Sequence, residues 1–240
     1  MTNNVLITGA SSGIGREIAI LLGKQEYIDG IGIHYNLNKN GILDTKRLID
    51  RNNVSIHQCD LSSNKINIID EFIDMHGSID ILINCAGVIG NTSFENLTIE
   101  EFDRVINTNV RGTFMITKDS FNHMKKKRHG KIINISSITT KFGIGRNHSI
   151  QYAASKSMID TLTIGLARIG AEYNILVNSV SPGLIDTRIQ EGRNDLEERV
   201  NLIPLKRIGK VKDVANMVEY LASNKGNFIT GQVIRVTGGE

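Results

Sequence analysis

Tyr152-Ala-Ala-Ser-Lys156 places a phenol and an ammonium one helical turn apart, on one face of whatever helix carries them. Such a pair can move a proton. A tyrosine hydroxyl has a pKa of about 10 and is a poor acid–base group near neutrality. Bringing it to about 7 takes roughly 4 kcal/mol of extra stabilisation of the phenolate. An ammonium about 4 Å away, at an effective dielectric near 20, supplies about that much. A serine hydroxyl would complete the set by orienting a substrate carbonyl. Ser136-Ser137 follows an apolar run and offers two, of which strand alternation turns only one toward a given side. Spacing alone decides nothing, because Tyr35-Asn-Leu-Asn-Lys39 repeats it in a polar loop with no serine element before it.

The elements that would position these residues alternate along the chain. Strand patterns cover Val5–Thr8, Ile31–Tyr35, Val54–Gln58, Ile79–Asn84, Lys131–Ile135, Ile175–Val180 and Gln232–Val236. Helical patterns lie between them: Gly13–Leu22, Ile42–Arg51, Lys65–Met75, Ile99–Lys127, Ala153–Ala171 and Val211–Ala222. Strands that alternate with helices imply an α/β domain, a parallel sheet with helices on both faces. Near-continuous apolar runs such as Ile-Asp-Ile-Leu-Ile-Asn suit strands buried on both sides. The rhythm breaks only from Pro182 to about Gly209, and a connection that long in a compact domain is expected to be a lid or binding loop, about residues 184–209. Ser137 then ends a buried strand, at the carboxyl edge where open α/β sheets bind ligands.

Composition narrows the class. The chain has 240 residues, 40% hydrophobic and 22% charged, which fits one soluble domain with a full core. A net charge of +3 is too small to argue for nucleic acid. No run is apolar enough to span a membrane, and no signal peptide is expected. With Cys59 and Cys85 alone, no disulfide framework is expected and the cytoplasm is the expected compartment. The six histidines show no metal-ligand spacing, so no metal site is expected. Met75 and Met158 fall in helical patterns and are expected in the core.

Thr8-Gly9-Ala10-Ser11-Ser12-Gly13-Ile14-Gly15 joins the first strand to the first helix. Small residues let amides approach a pyrophosphate, and the helix N-terminus adds partial positive charge. The other reading is a tight strand–helix connection; its place at the first βα junction favours the phosphate. At the end of the second strand, NAD-binding folds keep an acid for the ribose hydroxyls. Here the run is His34-Tyr35-Asn36-Leu37-Asn38-Lys39-Asn40, and the first acid is Asp44. Asn36 can donate hydrogen bonds. Lys39 is either a solvated loop lysine or a point charge for a 2′-phosphate. NADP(H) is therefore expected over NAD(H).

Taken together and in order, these residues resemble the short-chain dehydrogenase/reductase family from Val5 to Gly239, most nearly its 3-oxoacyl-(acyl carrier protein) reductases. The resemblance includes the glycine turn, Asp60 after the third strand and Asn84-Cys85-Ala86-Gly87 after the fourth. It continues through Asn109 in Asn-Thr-Asn-Val-Arg-Gly, Ser137, Tyr152, Lys156, Pro182-Gly183 and Val236-Thr-Gly-Gly. It implies a three-layer, doubly wound Rossmann fold on a seven-stranded parallel sheet. In its terms Tyr152 is the general acid, Lys156 binds the nicotinamide ribose and lowers the tyrosine pKa, Ser137 polarises the carbonyl and Asn109 completes a proton relay. The cofactor would rest on Gly9, Ser11, Ser12, Gly13, Ile14, Gly15, Asp60, Leu61, Asn84, Ala86 and Gly87. Pro182, Gly183, Ile185 and Thr187 would flank its nicotinamide. The resemblance also implies a homotetramer and a 3-oxoacyl thioester substrate carried on acyl carrier protein. Lys125–Arg128 is either a docking patch for that acidic partner beside the active-site mouth or a solvated helix end. Two features depart from the reductases: Tyr173 stands where a second basic residue is usual, and Arg146, Asn147 and His148 lengthen the segment before Tyr152. A free ketone, sugar or other secondary alcohol is the alternative substrate. A non-catalytic nucleotide-binding protein is the alternative outside catalysis, and the tyrosine–lysine pair argues against it.

Overall fold

The computed structural model describes residues 2–90, 92–145, 149–187 and 194–240. Among them, seven strands form one parallel sheet in the order β3-β2-β1-β4-β5-β6-β7. The strands are β1 (Asn3–Ile7), β2 (Ile28–Tyr35), β3 (Val54–Gln58), β4 (Ile81–Asn84), β5 (Gly130–Ile135), β6 (Ile175–Pro182) and β7 (Val233–Val236). The helices are α1 (Gly13–Gly23), α2 (Lys39–Ile49), α3 (Ile68–His76), α4 (Ile99–Ile106), α5 (Thr113–Lys127), α6 (Thr139–Phe142), α7 (Ile150–Gly170), α8 (Leu196–Leu202) and α9 (Val211–Ala222). This is the doubly wound fold expected.

Alternation along each strand divides the core in two. Val5 and Ile7 face α1 and α9, where Ile18, Leu22, Val214 and Val218 are buried. Leu6, between them, faces the other way, into a second cluster with Phe72, Ile116, Phe121 and Met124 from α3 and α5. Fully burying one such side chain stabilises the fold by roughly 1.5–3 kcal/mol. The strand order reverses direction at β1 and β4, which opens a crevice at their carboxyl ends.

Two sequence expectations need correction. The helix expected over Ile99–Lys127 is broken by a π-helical turn, Asn107–Gly112, between α4 and α5. Met75 and Met158 are not core: they are 64% and 54% exposed, on the solvent sides of α3 and α7. The expected lid closes at its base by a parallel bridge between Ile185 and Gly209 and carries α8. Its residues 188–193, like Arg146, Asn147 and His148, lie outside the described residues.

Candidate active site

Tyr152 and Lys156 occupy the first turns of α7, and Ser137 follows β5. The Ser137 side chain lies toward the Tyr152 hydroxyl and favours its phenolate. The Lys156 ammonium lies 5.9 Å from the Tyr152 ring centroid and donates to the Ile135 carbonyl at 2.8 Å. The neighbouring Ser136 hydroxyl turns away, toward the Lys156 carbonyl at 3.5 Å. Ser137 is thus the serine that faces Tyr152.

The site's electrostatics differ from the expectation. Burial pushes the Tyr152 hydroxyl up to about 12; the Ser137 side chain pulls it down, and Cys85 pushes it further up. Lys156 is itself lowered, chiefly by burial. Its ammonium is spent first on the Ile135 carbonyl, so the ordinary cost of burying a phenolate wins. Near neutrality Tyr152 therefore holds its proton.

A cleft of about 610 Å³ runs along the carboxyl edge of the sheet past these residues. Gly9, Ser11, Ser12, Gly13, Ile14 and Gly15 line one end together with Asn36 and Leu61. Ala86 and Gly87 form the middle, and Ser137, Tyr152, Lys156, Pro182, Gly183 and Ile185 the far end, while Thr187 lies beside Gly13 of the glycine turn. The first end suits a pyrophosphate. No side chain of the Ser12 cap bonds the first amides of α1, so they stay free for an anion. A Cβ on Gly15 would lie 2.4 Å from the Gly9 carbonyl oxygen, so only glycine permits that approach. Among the described residues, the lining holds two cations, Lys156 and Arg199, and no carboxylate.

Four expected residues do not line this cleft. Lys39 begins α2 and is exposed. Asp60 turns its carboxylate onto Ser62, accepting from its amide at 2.9 Å and its hydroxyl at 2.8 Å. Asn84 points into the sheet, donating at 2.8 Å to both Thr117 and Asn134. Asn109, in the π turn, grips the loop after β4: it accepts from the Val88 amide at 2.8 Å and donates to the Val88 carbonyl at 2.9 Å. Tyr35 is bonded to Gln58 at 3.1 Å, which leaves the second tyrosine–lysine pair without a shared site.

The basic patch is also elsewhere. Lys125–Arg128 ends α5, just before β5 begins, so it stands at the amino edge of the sheet, roughly 20 Å from Ser137 along the strand. It is not beside the mouth of its own cleft. There Lys125 and Arg128 lie over the Tyr173 ring, 4.4 and 5.6 Å from its centroid.

The structure adds residues that spacing did not single out. Arg199 reaches the cleft from α8 and is paired with Glu240. Ile89, Ile138, Phe142, Ile144 and Leu184 give the far end an apolar wall. Their signal in sequence was only scattered hydrophobicity, because Ile138, Phe142 and Ile144 come from the short segment around α6, and Ile89 and Leu184 from two separate loops. Among the described residues no group of histidines, cysteines and carboxylates is arranged to hold a metal, and no helix is long and apolar enough to cross a membrane.

Comparison with known proteins gives a consistent outcome. A family model described as enoyl-(acyl carrier protein) reductase matches residues 9–240. The 3-oxoacyl-[acyl-carrier-protein] reductase FabG of Staphylococcus aureus is 34% identical over 100% of this chain and 98% of its own length. The uncharacterized oxidoreductase YgfF of Escherichia coli is 35% identical over 98% of each chain. Among solved structures, the acetoin dehydrogenase YohF from Salmonella typhimurium superposes with a TM-score of 0.88 at 29% identity, covering 100% of this chain and 97% of that one. A Serratia marcescens short-chain dehydrogenase/reductase gives 0.91 at 27% identity, covering 99% and 97%.

Proposed function

Because this chain belongs to the short-chain dehydrogenase/reductase family, and is an oxidoreductase of that family, we propose that it reduces a 3-oxoacyl thioester to the 3-hydroxyacyl thioester with NADPH. The observation that carries the reading is the grouping of Ser137, Tyr152 and Lys156 at the apolar end of a dinucleotide-sized cleft. When bound, a nicotinamide cofactor supplies the hydride. The protein's residues do the rest. Ser137 orients the carbonyl oxygen. Tyr152, kept protonated by burial, donates its proton to that oxygen as negative charge develops. Lys156 favours the phenolate left behind, and Asn109 holds the Val88 segment against the site. The apolar wall formed by Ile138, Phe142 and Ile144 suits an acyl chain.

NADPH over NADH is supported by the absence of any carboxylate among the described lining residues, where a 2′-phosphate would be repelled by one. Lys39 stays a candidate only if its side chain swings toward the cleft. The substrate arrives on acyl carrier protein, a reading supported by the similarity to 3-oxoacyl-[acyl-carrier-protein] reductases. A free hydroxyketone is the second reading, favoured by two acetoin dehydrogenases among the similar structures. NADPH oxidation with 3-oxoacyl-carrier protein, matched coenzyme A thioesters, acetoin and simple ketones decides between them. The acyl thioesters are expected to win by at least about tenfold in kcat/KM, and NADPH to exceed NADH; no preference for thioesters discards the substrate assignment.

A further inference from the structure

The His34 imidazole is 2% exposed and takes no part in the chemistry above. It lies near the carboxyl end of β2, on the wall of the cleft. The Gly9 amide donates to its Nδ1 at 3.2 Å. Its Nε2 lies 2.9 Å from the Cys59 carbonyl oxygen. These contacts assign the ring's proton. An amide only donates and a carbonyl only accepts, so Nδ1 is bare and Nε2 carries hydrogen. Burial keeps the ring neutral by lowering its pKa to about 4; the Cys59 carbonyl opposes this, His57 adds to it and Asp60 opposes it.

The backbone of His34 holds the next residue as well, since its carbonyl accepts from the Ala10 amide at 2.9 Å. Gly9 and Ala10 therefore both hang from one residue of β2. Gly9 has φ +69°, and a Cβ there would lie 2.7 Å from Ala86 Cα. Position 9 can have no side chain of its own to brace the turn, so hydrogen bonds must do it.

We infer that His34 is a positioning residue for the cofactor: its bare Nδ1 holds the Gly9 amide, so that the glycine turn is already shaped for a dinucleotide pyrophosphate before the ligand arrives. The inference rests on the dinucleotide reading of the cleft.

Two substitutions separate the ring's two bonds. In His34→Asn, Oδ1 takes the place of Nδ1 and still accepts from Gly9, while the tie to Cys59 is lost. In His34→Gln, the longer amide reaches the Cys59 carbonyl and leaves the Gly9 amide unpartnered. Titration of NADPH and NADH by cofactor fluorescence measures Kd without any carbonyl substrate. H34N is expected to bind within about twofold of wild type. H34Q is expected to bind about tenfold more weakly, since a turn shaped in only a tenth of the molecules loses that much apparent affinity. The cofactor KM should rise in step while kcat stays within about twofold. A merely structural role for the β2–β3 tie gives the reverse order, H34N weaker than H34Q, and overturns the inference, as does H34Q binding like wild type. A wild-type chain that binds neither dinucleotide overturns the dinucleotide reading too, which tells the two failures apart.

Discussion

Tyr152 holds its proton because it is buried, and that leaves it ready to act as a donor. A hydroxyl pushed up to about 12 is a neutral donor throughout the physiological range. Reduction uses that donor, and the reverse reaction uses the phenolate it leaves. Tyr152→Phe keeps the ring and removes only the hydroxyl. Turnover is expected to fall about 10²–10⁴-fold, with NADPH affinity within about threefold, as steady-state rates and fluorescence titration would show. A rate within about tenfold of wild type contradicts the assignment. The residue identities were legible from order and spacing. The proton's whereabouts were not, because the lysine's effect depends on the Ile135 carbonyl, and nothing in Tyr-x-x-x-Lys says what else the ammonium will meet.

The π turn at Asn107–Gly112 is the element that ties the site's loops together. Asn109 holds Val88 on one side, while Arg111 donates to the Ser62 and Ser63 carbonyls at 3.3 and 3.1 Å on the other. Gly112 lies against Leu61, where a Cβ would come 2.4 Å from the carbonyl oxygen. The loops after β3 and β4 are thus fastened to one widened turn, the kind of irregularity helices keep at functional sites. Asn109→Ala strands the Val88 amide. It is expected to cost about 1–3 kcal/mol in denaturant melts and to reduce turnover at least about tenfold; full activity would show that the grip is dispensable. Helical patterning in Ile99–Lys127 hid this turn, because a π turn is itself helical and six residues are too few to show a period of their own. Strand cores were read within a few residues, since both-face burial leaves a plain apolar run. The Lys125–Arg128 patch was misplaced because charge reveals surface without revealing which end of the sheet that surface occupies.

At the scale of the molecule, α4, α5 and α7 leave large apolar side chains facing outward. Ile99, Phe114 and Met158 are each at least half exposed. A homotetramer, the assembly proposed by family resemblance, would cover such residues with a second copy. Light scattering on the purified protein is expected to give a tetramer, and Phe114→Glu with Met158→Glu a smaller species; a wild-type monomer would refute the assembly. The sheet carries one more consequence. β7 is the last strand in the chain, and it pairs with β6 so that the Gly183 amide bonds the Val236 carbonyl at 3.0 Å. The Pro182–Gly183 wall of the cleft leans on it. On the ribosome, six strands can emerge before that wall has its support. Loss of β7 is therefore expected to weaken dinucleotide binding, and cofactor, which stabilises only what it can bind, would then give little help to a chain that stops short of Val233.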